Sequence, residues 1–534
     1  MPDNPTTGEK LLLQIIDKVF AIVTAAPQAG TDLGPDKQGS NRLQPKNTVV
    51  QLAIPGIPLY AEDFKDMYHP SNPGGQKGKT ALFSWLVDAI PTAGTLKYEQ
   101  TPRRVSLAYK AIVMGANAPV AEVDAELKRR LATHNAVLYG ADGAKTADYK
   151  EFQKRQDDLG AAQDDLRHVA AKASKMSMEY QDEVAHFDKK PGAEKKRIIA
   201  LYERKAQDYF DDVYPAAKRV VLRALDELND VRMNRVAEAL TFINTNGKEL
   251  SAQLLDSMKK QLAASEGAEG YTDQALKVPV MLSYPSHTAF AKPGASSGWM
   301  SISCNTDTFD LSQSQTAKRT GAGAGGFWSL FFFRAGGGHT EATEKIDVTS
   351  SSVQVSFDLA IVNILRPWMD ATLFSGNVEW NAGRDQKKGS VSSGAFETQT
   401  DDHLLPFVPT QMLVARNVKI VGAFNEAHQT FVKSHMDAGG SFGWGPFSFG
   451  GSHTQDSASF TKREDGSGVT LKLEGIQCIG FVSWIPPLSA KDDGRADAAP
   501  LNLPGAEELN RQKAAAQQAV AIMALPPKSR PKAG

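Results

Sequence analysis

Apolar residues recur at helical spacing near the start of the chain, where Leu12, Ile15, Ile16, Val19, Phe20 and Val23 line one side of a stretch that also carries Gln14, Asp17 and Lys18. This pattern predicts an amphipathic helix capped within Asn4 to Gly8. An apolar strand is predicted over Thr48 to Ile54, then turns at PGIP and SNPGG, then helices over Thr80 to Ile90 and Ser106 to Met114. Residues 1–120 therefore read as a small mixed α/β region.

Past Val120 the chain turns to Ala, Lys, Glu, Asp, Gln and Arg, the composition of long helices. Phe152, Leu159, Leu166, Val169, Ala173, Met176, Tyr180, Val184 and Phe187 repeat at threes, fours and sevens and form one apolar seam. The seam breaks at Lys189 to Gly192 and resumes through Ile198, Leu201, Tyr209, Val213, Val220, Leu228, Val231, Ala239 and Ile243. Residues 121–267 are thus expected to fold as a long antiparallel helical hairpin or coiled coil. Its arms would reach about 60 Å at a rise of about 1.5 Å per residue. Pro215 should interrupt the returning arm, and a third helix, Lys248 to Ala264, should pack across both.

From Tyr271 the period changes from helical to two. Val353, Val355, Phe357, Leu359 and Ile361 alternate with polar or small residues, as in an antiparallel strand buried on one side. Val469, Leu471 and Leu473 alternate in the same way up to Gly475, beyond which the apolar face continues through Ile476, Cys478, Val482 and Trp484. That change of parity at a glycine predicts a β-bulge. Further strands are predicted over Lys277 to Tyr284, Trp299 to Cys304, Val414 to Phe424 and Thr430 to Ser434. After Pro487 comes a polar Ala/Pro-rich tail, with one candidate helix over Ala506 to Ala524 and an end expected to be disordered.

These strands belong to an internal duplication. The phrases GAGAGGFWSLFFFRAGGGHT and GGSFGWGPFSFGGSHT are each followed by a long strand, and Trp328 and Trp444, like Trp368 and Trp484, lie 116 positions apart. The fold class expected is therefore α+β and multidomain: the mixed region, the helical hairpin, then two related antiparallel β modules, sandwich-like, at 271–375 and 376–487, with the tail at 488–534. One sandwich with pseudo-twofold symmetry is the other arrangement the repeat allows.

Glycine beside bare aromatics suits a flexible apolar contact surface, so Phe327, Trp328, Leu330, Phe331, Phe332, Phe333, Phe442, Trp444, Phe447 and Phe449 are the candidate contact residues. FWSLFFF is apolar on both faces of any strand it forms and must be covered on both. The cover is the protein's own core, a lipid surface, or another protein chain. Membrane-spanning strands want about 9 to 11 residues of apolar/polar alternation, whereas Ser312, Gln313, Ser314, Gln315 and Thr316 are polar on both sides, which points to shallow insertion of the tips. His339 and His453, just beyond the two phrases, are candidate pH-responsive groups.

Charge and motifs narrow the classes. A formal net charge of −1 gives no global pull toward nucleic acid or an anionic surface. The two cysteines, Cys304 and Cys478, sit at non-equivalent places in the repeat and read as packed thiols rather than a disulfide or metal site. The stretch Gly74 to Thr80 imitates a phosphate loop, but the required first glycine is Pro73. No catalytic motif, metal ligand set or cofactor fingerprint is complete, so catalytic, metal and cofactor residues are expected to be none. The start shows neither signal peptide nor membrane helix, which predicts cytoplasmic synthesis, with release through lysis or dedicated machinery. The reading that results is a non-enzymatic, β-rich assembly or interaction protein. Its helical hairpin serves as stalk or oligomerisation element, and its partner is another copy or another protein. A membrane-active, pore-forming-like protein is the alternative.

Overall fold

The computed structural model describes residues 7–24, 47–60, 77–116, 125–140, 145–162, 190–245, 247–265, 279–284, 299–308, 331–334, 353–366, 368–374, 389–422, 441–450, 458–462, 469–473 and 475–489, together with a few isolated positions. Helix and sheet are both extensive, as expected of an α+β chain. Contacts divide it into two compact units, one of residues 1–25, 42–120 and 251–534, the other of residues 26–41 and 121–250.

The first unit is organised by one mixed sheet. Its strands are β1 (Thr48–Pro58), β3 (Lys97–Tyr98), β5 (Leu282–Tyr284), β6 (Met300–Asn305), β8 (Val353–Leu365), β9 (Val408–Gly422), β12 (Ala458–Lys462), β13 (Val469–Leu473) and β14 (Gln477–Trp484). Two short strands, β2 (Ala89–Pro91) and β4 (Gln100–Arg104), pair beside it. β8 lies between β6 and β9, and β9 carries β13 and β14 along its other edge. β1 extends the sheet beyond β14, so the N-terminal stretch expected to be a region of its own shares a sheet with the end of the second repeat. Nothing local in β1 could signal a partner more than four hundred residues away.

The duplication is preserved pair by pair. Ile302 faces Phe357 across β6 and β8, and Val418 faces Leu473 across β9 and β13, each residue displaced by the repeat length. Val355 sits between Cys304 on one side and Ile420 on the other, again equivalent residues. The copies therefore lie head to tail in one sheet. A twofold arrangement would have set like strand against like, so the pseudo-twofold expectation is not the one adopted.

The predicted opening helix is α1 (Thr7–Thr24), and it buries Leu11, Leu12, Ile15, Ile16, Val19 and Val23 against the inner face of the sheet. Val353, Val355, Phe357 and Leu359 meet them there, the odd-numbered side the alternation predicts. Further along the strands both faces close. Met412, Leu413, Val414 and Ala415 are consecutive and all buried, as are Gln477 to Val482. α2 (Lys77–Val87) and α3 (Val105–Gly115) match the two predicted helices. Of the predicted strand Thr430 to Ser434, only Thr430 is described and it is helical; the candidate tail helix lies outside the described residues.

The predicted bulge is present: between Leu473 opposite Val418 and Gln477 opposite Ala415, the interval that holds Gly475, the chain carries one residue more than β9, and a second slip lies within β14 at Gly480. The register against β9 slips between Cys478 and Gly480, and a Cβ on Gly480 would lie 2.3 Å from the Gln51 carbonyl oxygen. The glycine lets β1 cross β14 at backbone contact.

The second unit is helical: α4 (Ala125–Leu138), α5 over 147–162, α6 (Gly192–Asp208), α7 (Tyr214–Leu228) and α8 (Val231–Thr245). Its seam joins Ala162 and Leu166 to Val221 and Ala224, while the Tyr209 hydroxyl donates to the Val169 carbonyl at 2.5 Å and Arg155 bonds the Glu227 carbonyl. As one partner's number rises the other's falls, so these stretches run antiparallel. Pro215 falls in the first turn of α7, directly after a π-helical turn, Tyr209–Val213. That turn absorbs one extra residue and rotates the following helix. Val213 and Val220, expected in the seam, are consequently exposed, and Val221 takes the inward place. Leu201 and Val231 of the predicted seam are exposed too.

Two outcomes follow from this packing. Gly480→Ala forces β1 and β14 apart and is expected to lower stability by more than about 2 kcal/mol in chemical denaturation; an unchanged midpoint would contradict the close crossing. Asp157 has its pKa raised to about 6, by burial first and by Asp158 second, with Lys145 opposing. A raised folded value stabilises at acid pH, and that contribution is lost as pH climbs from about 4 through about 6. Asp157→Asn should therefore stabilise the protein at pH 7 by about 1 kcal/mol after allowance for solvent screening, the difference from wild type vanishing near pH 4.

Candidate functional site

The aromatic phrases form a small sheet of their own. It consists of β7 (Phe331–Arg334), β10 (Ser441–Trp444) and β11 (Phe447–Gly450), with β10 in the middle. Trp444 pairs with Phe447 on one side and Phe331 on the other, and Phe442 with Phe449 and Phe333. Phe331 and Phe447 are equivalent in the repeat, as are Phe333 and Phe449, so the head-to-tail arrangement of the large sheet recurs here. A two-residue turn, Gly445-Pro446, closes the hairpin, and Gly445 takes the positive φ of 54° that glycine tolerates.

Trp444 and Phe447, expected at a contact tip, are fully buried. They belong to the same core cluster as α1 and β8, and the Phe447 ring meets Phe357 edge-on at 5.2 Å. The glycines make this possible. A Cβ on Gly56 of β1 would lie 2.4 Å from the Pro446 carbonyl oxygen, so the hairpin turn rests directly on the β1 backbone. The outer edge of β11 is tied down as well, its Ser448 N–H donating to Gln477 Oε1 at 2.7 Å. Phe331, Phe332, Phe333, Phe442 and Phe449 are placed by these backbone pairings. Phe327, Trp328, Leu330, His339 and His453 lie outside the described residues.

A second constellation, which the sequence did not single out, gathers on the other side of the large sheet. Asp88 follows α2, Arg104 ends β4, Ser106 opens α3, and Arg366 follows β8. Asp88 is buried and accepts from the Ser106 N–H at 3.0 Å and the Ser106 hydroxyl at 2.6 Å. Burial pushes its carboxyl above the usual range, against the pull of Arg104, Ser106 and Arg366. The Arg104 guanidinium stacks 4.5 Å over the Trp85 ring and donates Nη1 to the Trp85 carbonyl at 2.9 Å. Arg366 donates to the carbonyls of Val87 and Pro409 at 2.7 and 2.5 Å, and burial draws its pKa down to about 10. Nε and Nη2 of Arg104, Nε of Arg366 and Nε1 of Trp85 are buried without a hydrogen-bond partner. Asp88 and Arg366 lie 278 positions apart, a separation no local pattern bridges.

Elsewhere, both cysteines are free and buried, and burial raises Cys304 to about 11 and Cys478 to about 12, as befits packed thiols. Thr80 of the phosphate-loop imitation is buried inside α2. Among the described residues no group of three or more His, Cys, Asp or Glu could hold a metal ion, and no helix is long and apolar enough to cross a membrane. The chain matches no family model, no curated protein and no solved structure.

The burial of the second hairpin makes a definite expectation. Trp444→Ala and Phe447→Ala should each cost about 3 to 5 kcal/mol of stability while leaving association unaffected. Loss of association at wild-type stability would instead return these side chains to an exposed surface.

Proposed function

We propose that this is a non-enzymatic, β-rich assembly protein in which the helical unit, read as an antiparallel hairpin, mediates self-association and the duplicated β unit supplies a rigid body. The observation that carries the reading is where apolar surface is left open. Of the seven large hydrophobic side chains exposed among the described residues, five belong to the helical unit: Leu201, Val213, Val220, Leu222 and Val231. Val231 is 74% exposed. The seam of the unit is already closed by Leu166, Val221 and Ala224, so these five are surplus to its own packing.

A second copy is the occupant that the charge balance favours. A chain of net charge −1 has little long-range repulsion to overcome on meeting itself, and helices with surplus apolar positions associate by side-chain interdigitation. Membrane insertion through the second aromatic hairpin, by contrast, would have to withdraw Trp444 and Phe447 from the core, at about 1.5 to 3 kcal/mol for each. The first aromatic phrase remains a candidate for additional contacts with a partner.

Light scattering coupled to size exclusion, over a wide range of concentration, tests this reading. Wild type should form dimers or larger species. The double substitution Val213→Glu with Val220→Glu should weaken association at least about tenfold, with the melting temperature retained. A wild-type chain that stays monomeric throughout would overturn the proposal.

A further inference from the structure

The geometry points to a buried oxyanion site between Arg104 and Arg366, with Trp85 at its side, that takes one small inorganic anion of the sulfate or phosphate class. Two guanidinium groups and a single carboxylate share this region, as both arginines act electrostatically on Asp88 and on Tyr98. The carboxylate takes its hydrogen bonds from Ser106, and the arginines spend part of their donor sets on the carbonyls of Trp85, Val87 and Pro409. That leaves three guanidinium nitrogens and one indole N–H, each buried with no acceptor.

An excess of buried positive charge with unspent donors is costly unless an acceptor of opposite sign completes it. Guanidinium presents its donors in a planar fork that matches tetrahedral and planar oxyanions. Water would satisfy the donors but would leave the charge uncompensated. Arg104 is only 2% exposed, so the ligand must be enclosed whole; a phosphoryl group carried on a lipid, peptide or nucleic acid would not reach it. The anion would tie α2 and β4 to the chain leaving β8, elements drawn from both ends of this unit.

The test uses the intact chain. Protein purified in chloride alone is dialysed against radiolabelled sulfate or phosphate at constant ionic strength, and anion released on denaturing the protein as first purified is measured by ion chromatography. The expected result is saturable uptake of about one anion per chain, or about one released on denaturation, with at least about a tenfold loss of affinity in Arg366→Met. Wild type that neither takes up nor releases an anion overturns the site. So does an Arg366→Met protein that folds and binds as tightly as wild type. Should that variant fail to fold, the wild-type stoichiometry alone decides.

Discussion

The ladder between β8 and β9, running from Val353 opposite Gly422 to Asn363 opposite Gln411, is the contact on which the first unit depends. It joins the two copies of the repeat, and from Val353 to Ser356 it keeps the register that each copy uses internally before slipping by one residue ahead of Asp358. Because one residue of slip would turn every inward side chain outward, this register also fixes which face of the sheet is apolar. α1 can then lie against β1 and β6 on that face and share one core with Val353, Val355 and Phe357, and the aromatic hairpin can close over the same face through Phe447.

Edges are the weakness of such a sheet, and the chain covers them with a strand of the second repeat and with segments from its N-terminal part. β12 pairs with β13 and β1 with β14, while at the opposite end Lys18 of α1 bonds the Ser303 carbonyl of β6. A lysine on an edge carbonyl is a common way of discouraging further strand addition. In the small sheet Gln477 does the same for β11. These contacts explain why an N-terminal segment of little apparent character is folded into the β unit.

How much of this was legible follows from how local each signal is. α1 was readable because its apolar positions keep one period over its whole length, and β8 as far as Leu359, beyond which the buried side passes to Ala360, Val362 and Ile364 and the expected Ile361 is only half-buried. The duplication was readable because four tryptophans preserve its spacing. The bulge around Gly475 was legible as a change of parity, whereas the second slip, between Cys478 and Gly480, was not, because β14 is buried on both faces there and leaves no alternation to read. The helical seam lost its phase at Tyr209–Val213 because a single extra residue in a helical turn leaves no mark on composition. Trp444 and Phe447 were read from the sequence as contact residues whose cover it did not name; only the approach of Gly56 to the hairpin turn identified it. The cluster of Asp88, Arg104 and Arg366 was invisible, each residue an ordinary charge until the fold placed them together.

Head-to-tail packing has a consequence for the history of such a chain. Since each copy offers its neighbour the same pair of surfaces, a third unit spliced between β8 and β9 would find both of its borders already complementary, while the terminal segments kept their places. Proteins of graded length, differing by whole multiples of the repeat and sharing the same two ends, are the natural relatives of this architecture.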